Sequence, residues 1–427
     1  MEPPEETRFQ ASWLMRWTRA RAPPVAAAGA GIFVGTYDLA ALSLALPGMA
    51  KTWHLSSAVM GSLGALSLAG TIVGALVGGL LADRFGRRSL LLFDFATYFA
   101  AALGSALAPT LAIWALFRVA VGVGVGADFA IAFPYVAEVT KPGRSGRNMA
   151  WTMWAANFGM LLAYGLGAVL MGSPSSWRLL LGAGALLALP VLATRSSLPE
   201  SPRWKEGHRT SLKAIAREVW RARDRSQVAV HAINWFCYQV GDQGLTLFLP
   251  LLLMGLLQVP ETEAAWGSVW VKAVTIPAAG FTVWAIGRWG LRLLQVWGFL
   301  VRALSLLGLG ALIFWRGPAG RMGAVWALCI LAIAYAAGAA GPDKTTVMAP
   351  AQSFPTSVRA SGQAITESFG RVGGMVGTLG YGFLSDLWGT GSAVAFLGVM
   401  ALVGFAVSAL FLPGDGVRDG SGLDPVP

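Results

Sequence analysis

Apolar runs long enough to cross a bilayer recur about twelve times along this chain, and nothing constrains its fold more. A helix needs roughly 20 apolar residues to span the hydrocarbon core. Lipid offers no partner for backbone N–H and C=O groups, so each span must satisfy its own by coiling into a helix. The runs fall at 25–48, 58–82, 89–108, 112–137, 148–171, 176–195, 228–256, 265–286, 293–314, 322–349, 361–385 and 390–412. The expectation is an all-α membrane protein with 12 transmembrane helices. Composition agrees, since only 12% of the residues are charged, about half the usual share in soluble domains. The 54 glycines and 18 tryptophans fit the same setting. Glycine lets helices approach closely, and tryptophan anchors at the headgroup level.

A net charge of +11 would suit nucleic acid, but its placement excludes that partner. The basic residues sit in alternate loops. Even-numbered loops carry Arg84, Arg87 and Arg88, then Lys141, Arg144 and Arg147, then Arg288 and Arg292, and finally Arg359. Odd-numbered loops are poorer, with Lys51, Arg178, Glu261, Glu263, Arg316 and Arg321. This is the positive-inside pattern, and it predicts a multi-pass protein of the inner (cell) membrane with both termini cytoplasmic. Residues 1–24 lack a small-residue cleavage site and read as a cytoplasmic tail, as do residues 413–427. The long charged connection 196–226 divides a bundle at 25–195 from a second at 227–412. Its helical stretch around 210–224 either lies on the inner surface against anionic lipid or only joins the halves. Cys237 and Cys329 lie in apolar runs and form no disulfide framework. The three histidines, His54, His208 and His231, lack metal-ligand spacing, so no metal or cofactor is expected.

After the second run comes Gly78-Gly79-Leu80-Leu81-Ala82-Asp83-Arg84-Phe85-Gly86-Arg87-Arg88, and a weaker copy, Gly287-Arg288-Trp289-Gly290-Leu291-Arg292, follows the eighth. Matching copies in two halves are what an internal repeat predicts. Further on stand Arg118 with Gly122, Gly124 and Gly126, then Pro134-Tyr135-Val136-Ala137-Glu138 with Arg147. Pro199-Glu200-Ser201-Pro202-Arg203-Trp204 and Gln352-Ser353-Phe354-Pro355-Thr356-Ser357-Val358-Arg359 complete the set. Together these resemble the major facilitator superfamily, in its group of sugar porters, metabolite–proton symporters and phosphate–proton symporters. The resemblance implies the major facilitator fold, two pseudo-symmetric six-helix bundles. It also implies a cytoplasmic gate built from Asp83, Arg84, Arg87, Arg88, Glu138, Arg147, Glu200, Arg203, Arg288 and Arg359. Gln352 stands where the family usually has Glu, which weakens the second copy of that gate. The glycine run has no preceding strand, so it reads as close helix packing rather than a nucleotide fingerprint.

Ionisable residues inside a span cost about 2.5–3.5 kcal/mol or more at its centre and point to function. Asp38 lies in span one and Arg118 in span four, where the resemblance implies a proton-coupling pair. Either Asp38 takes a proton when Arg118 withdraws, or the two form a permanent structural bridge. Asp128, also in span four, could carry a second proton, contact solute or hold helices together. Asn157 in span five and Asn234, Gln239, Asp242 and Gln243 in span seven are candidate solute contacts. Lys344 and Arg371 are candidates too. Adjacent Asp343 and Lys344 are expected on different faces, and Pro342 to bend its helix. Glu367 and Arg371 are spaced to pair on one face; fully satisfied, Arg371 is structural, and facing the cavity it suggests an anionic solute.

No phosphate loop, nucleophile–base arrangement or metal cluster is visible, so the chain does not read as an enzyme. The expected function is a monomeric, proton-coupled symporter of a small polar metabolite, an organic anion first, working by alternating access among membrane lipids. Phosphate or a sugar is the alternative solute. Against phosphate, Gln239 and Gly35 replace acids those relatives carry. A transporter-like sensor is the rival of another class, disfavoured by the intact loop motif and the Asp38–Arg118 pair.

Overall fold

The computed structural model describes residues 23–140, 145–171, 175–201, 225–316, 321–353 and 359–412, and within them every regular element is a helix. In chain order these are α1 Pro24–Trp53, α2 Ser57–Phe85, α3 Arg87–Leu107, α4 Leu111–Val139, α5 Ser145–Leu170 and α6 Ser176–Arg195. The second half comprises α7 Arg225–Leu257, α8 Glu261–Ala273, α9 Thr275–Arg316, α10 Arg321–Ala340, α11 Pro342–Ser353, α12 Arg359–Trp388 and α13 Thr390–Phe411. Ten described stretches are long and apolar enough to cross a membrane; α5 and the more polar α12 complete twelve. The eighth span joins α8 to the start of α9, and the tenth joins α10 to α11.

Local chemistry sets several ends. Ser56 caps α2 by accepting from the Val59 N–H at 3.3 Å, and Thr110 caps α4 through the Ile113 N–H at 3.4 Å. Two breaks need glycine outright. Gly86 has φ +99° between α2 and α3, and Gly290 has φ +77° inside α9, where the eighth span ends. Both sit at the same place in the two copies of the loop motif, in a backbone region closed to most side chains. Two residues beyond each glycine an arginine reaches back across its own half. Arg88 donates to the Ser196 carbonyl at 2.8 Å, and Arg292 to the Ala409 carbonyl at 2.7 Å. The internal repeat therefore extends to the contacts the motif makes. Pro342 acts as expected: the tenth span breaks between Ala340 and Pro342, and α11 starts afresh with the Gly341 carbonyl accepting the N–H groups of Lys344 (3.2 Å) and Thr345 (3.1 Å).

The halves pack alike. α1 lies on α5 and α3 on α6 in the first, as α7 lies on α12 and α9 on α13 in the second. Glycines allow the closest approaches. A Cβ on Gly122 would strike the Ser67 carbonyl, and one on Gly126 the Thr71 carbonyl, which accounts for the glycine run as packing. Between the halves, α2 crosses α12 and α5 crosses α8. The described hydrogen bonds and ion pairs between halves lie toward the odd-numbered loops. Lys51 pairs with Glu261, Asp386 accepts the N–H groups of Ser57 (3.1 Å) and Ala58 (2.8 Å), and Tyr164 donates to the Thr246 carbonyl.

Candidate functional site

Asp38 and Arg118 meet in the middle of the first half. Asp38 stands on α1 one residue after Tyr37, whose hydroxyl is tied to the Leu180 carbonyl of α6 at 2.8 Å. Arg118 comes from α4 and grips Asp38 with two parallel bonds, Nη1 to Oδ1 at 3.0 Å and Nη2 to Oδ2 at 2.5 Å. Both side chains have zero exposure. This bidentate geometry is the strongest form of carboxylate–guanidinium contact. In this conformation the pair is sealed in helix packing. A void between the halves, lined by Leu42, Ser67, Gln243, Thr246 and Thr378 among others, is about 20 Å³, room for a single water.

Asp128 does not stand alone. It binds Arg195, the last residue of α6, at 2.5 Å, and Asp94 of α3 approaches the same guanidinium at 3.5 Å. Neither Asp94 nor Arg195 figures in the sequence reading above, although each is an ionisable residue within an apolar run and carries the signal that singled out Asp38.

The second half is arranged differently. Asp242 on α7 meets Arg302 of α9 only at 3.4 Å and keeps 22% of its side chain exposed. The Arg302 guanidinium lies over Tyr238 (5.0 Å) and leaves its Nε and Nη1 hydrogens without acceptors. Lys272 of α8 is buried, donates to Thr246 Oγ1 at 2.6 Å and lies over the Tyr335 ring at 3.9 Å. Lys272 and Arg302 are further intramembrane charges that the same rule would flag. Among the seventh-span amides, Gln243 lines the void and Gln239 is buried. Asn234 points elsewhere. Its carbonyl oxygen accepts from Ser408 of α13, which in turn accepts from Gln295 of α9, so it belongs to an interhelical seam. Asn157 is buried on α5.

Two expectations about charge pairing are overturned. Lys344 does reach Asp343, at 2.6 Å. The four-carbon lysine stem bends back at the first turn of α11, where the break before Pro342 leaves space. Glu367 and Arg371 do not pair. Glu367 accepts from the Trp235 indole at 2.9 Å, and Arg371 lies over Phe129 of the opposite half at 5.0 Å. Each side chain finds a partner on a neighbouring helix that spacing along α12 does not reveal.

At the even-loop end, Arg87 meets Glu138 at 3.4 Å, Glu138 accepts from Ser201 at 2.5 Å, and Glu200 accepts the Arg88 N–H at 3.1 Å. Arg84 lies beside the Phe85 ring and Arg288 over Trp284. The side chains of Asp83, Arg147, Gln352 and Arg359 lie outside the described residues, as do Arg203, the 210–224 stretch and both tails. Among the described gate groups, the contacts of Arg87 with Glu138, Ser201 with Glu138 and Arg88 with Glu200 each stay within one half or its flanking segment.

This framework matches known proteins. The family model described as Major Facilitator Superfamily matches residues 28–265, more than half the chain. The chain belongs to the major facilitator superfamily. A second model, Sugar (and other) transporter, covers residues 205–414. A putative niacin/nicotinamide transporter of Bacillus subtilis is 27% identical, over 84% of this chain and 87% of that protein. A probable inorganic phosphate transporter of Oryza sativa is 24% identical, over 90% of this chain and 86% of its own. Among solved structures, a D-xylose-proton symporter superposes with a TM-score of 0.78 at 21% identity, covering 91% of this chain and 97% of that one. A partially occluded inward-open xylose transporter from Escherichia coli gives 0.76 at 20% identity, with 91% and 99% covered. The chain is thus a multi-pass membrane transporter of the sugar, phosphate or metabolite type, and not an enzyme.

Proposed function

We propose that this protein is a proton-coupled symporter of a small polar metabolite, with an organic anion as its solute, working by alternating access. One observation carries the coupling. Asp38 and Arg118 neutralise each other with no exposure at the centre of apolar helices. If α1 and α4 part, Asp38 is left as a buried carboxylate without its cation. An uncompensated buried charge costs several kcal/mol, and taking up a proton relieves it. When Arg118 returns, the proton leaves. A proton symporter of xylose among the structural neighbours supports this reading. So do the described hydrogen bonds and ion pairs that join the halves toward the odd-numbered loops, which rocking would break. By the positive-inside pattern the other end, with both termini, faces the cytoplasm of the cell membrane.

The solute class follows from charge. Apart from Glu261, which pairs with Lys51 of the first half, Lys272, Arg302, Lys344 and Arg371 are matched only by Asp242, Asp343 and Glu367 among the described buried or half-buried groups of the second half. An anion entering between the halves supplies the missing negative charge. Phosphate meets the same requirement, and relatives named for phosphate keep it as the second reading.

A thermal-shift screen of the purified protein against carboxylates, phosphate and sugars identifies the solute class through ligand-dependent stabilisation. With that solute, Asp38→Asn should abolish gradient-driven accumulation in proteoliposomes while counterflow exchange persists. Accumulation at the wild-type level would sink the coupling scheme.

A further inference from the structure

Arg195 holds more negative charge than it can balance. Its guanidinium is fully buried between two aspartates that are also buried: Asp128 at 2.5 Å and Asp94 at 3.5 Å, with 2% and 1% side-chain exposure. Its remaining hydrogens go to backbone carbonyls, to Ala27 and Ala28 at 3.3 Å and to Leu91 at 3.1 Å. The Phe95 ring closes one face at 4.2 Å. Asp94 Oδ1 also accepts the Phe95 N–H, at 2.6 Å. The second oxygens of both aspartates, Asp94 Oδ2 and Asp128 Oδ2, are buried without a hydrogen-bond partner. Gly31 makes the space, for a Cβ there would collide with the guanidinium and lie 2.5 Å from Asp128 Oδ2.

Among the described residues no other cation balances the account. α1 contributes only backbone here; α3 brings Asp94, α4 Asp128 and α6 Arg195. α5 meets α1 nearby through Thr152, beside Gly29. Deeper in the bundle, Arg118 is committed to Asp38. Toward the even-loop end, Tyr135 is tied to the Pro199 carbonyl, Arg87 pairs with Glu138, and the Arg88 guanidinium is bound to Ser196. Two ionised carboxylates on one guanidinium leave a net negative charge in a dry site, and two like charges sharing a site resist joint ionisation.

We infer that Asp94 and Asp128 share one proton over Arg195, forming a second proton-binding site in the first half, separate from Asp38. The proton belongs to the pair rather than to either residue. Arg195 also grips the first turn of α1, so the same displacement of α1 that frees Asp38 loosens this site. Its existence does not depend on the transport reaction or on the solute.

The test is infrared difference spectroscopy of the full-length protein in nanodiscs at neutral pH, without solute, using aspartate labelled with carbon-13. The wild type should show a protonated-aspartate carbonyl band above the amide region that shifts with the label. Asp94→Asn and Asp128→Asn should each abolish it, because one carboxylate left on Arg195 is balanced and ionised. Asp38→Asn should leave it unchanged, and Arg195→Gln should increase it. An unlabelled or absent band in the wild type overturns the inference without any variant. So does a band that survives both asparagine variants, or one that vanishes in Asp38→Asn. Loss of transport in Asp38→Asn with the band intact separates this site from the coupling pair.

Discussion

The two halves share a backbone plan and treat buried charge in opposite ways. In the first half, both fully buried arginines are clasped by carboxylates of 2% exposure or less, Arg118 by Asp38 and Arg195 by Asp94 and Asp128. In the second, Arg302 touches its acid only at 3.4 Å, Lys272 rests on a hydroxyl and a ring, and Asp242 stays part-exposed. A sealed pair responds to helix movement and to protons. A loosely satisfied cation is free to answer an incoming anion. The repeat supplies the scaffold twice, and the placement of charge gives each half a different task.

Breaking both kinds of pair exposes the contrast most strongly. Arg118→Met should destabilise the protein by about 3–5 kcal/mol, the usual consequence of stranding one buried partner. Arg302→Met should cost clearly less, since Asp242 retains access to water. Denaturant melts in detergent micelles measure both, and equal losses would erase the distinction.

Next in size is packing. Gly126→Ala drives a Cβ into the Thr71 carbonyl, whereas Gly255→Ala meets nothing within 4 Å. The first should cost about 1–3 kcal/mol. The second should be silent or slightly stabilising, because alanine favours the helix. Comparable melting temperatures would show that the α2–α4 seam can open.

A smaller effect sharpens the role of the second half. Arg371→Met should weaken thermal stabilisation by the anion chosen in the screen about tenfold in concentration, the order of one charged contact, while the melt without solute moves little. An unchanged dose response would remove Arg371 from the solute site.

The smallest concerns the contact between halves. Burial pushes the Asp386 carboxyl upward, but hydrogen bonds from Ala58, Ser57 and Ser56 outweigh it and hold the group below its ordinary range. A carboxylate lowered in the closed state favours closure at neutral pH. That contribution fades as acidification passes through the ordinary carboxylate range, near pH 4, toward the lowered value. Asp386→Asn should therefore raise labelling of a cysteine placed at Ser57 at neutral pH and flatten its rise on acidification. Identical labelling profiles in the two proteins would dismiss this latch.

Much of the architecture is legible in the residues because bilayer thickness and backbone saturation leave one solution for an apolar run. The tenth span illustrates how far that goes: Pro342 announces its own break, since it can neither donate nor fit the preceding turn. Glycines in the loop motif are equally readable, and both copies adopt the left-handed backbone at matching positions. Pairing is another matter. Asp343 and Lys344 join, Glu367 and Arg371 do not, and Asn234 turns into a seam rather than toward solute. Arg195 finds Asp128 across 67 residues, and no local spacing encodes such a meeting.

Sequence by itself determined that this chain crosses a membrane about a dozen times, repeats its plan, and keeps scarce charges in an apolar interior. Those properties follow from one-dimensional quantities, the length and polarity of runs. Only the tertiary structure decided which charge answers which, and that two aspartates converge on a single arginine. The energy of a buried charge is set by neighbours within a few ångströms, and those neighbours are contributed by other helices.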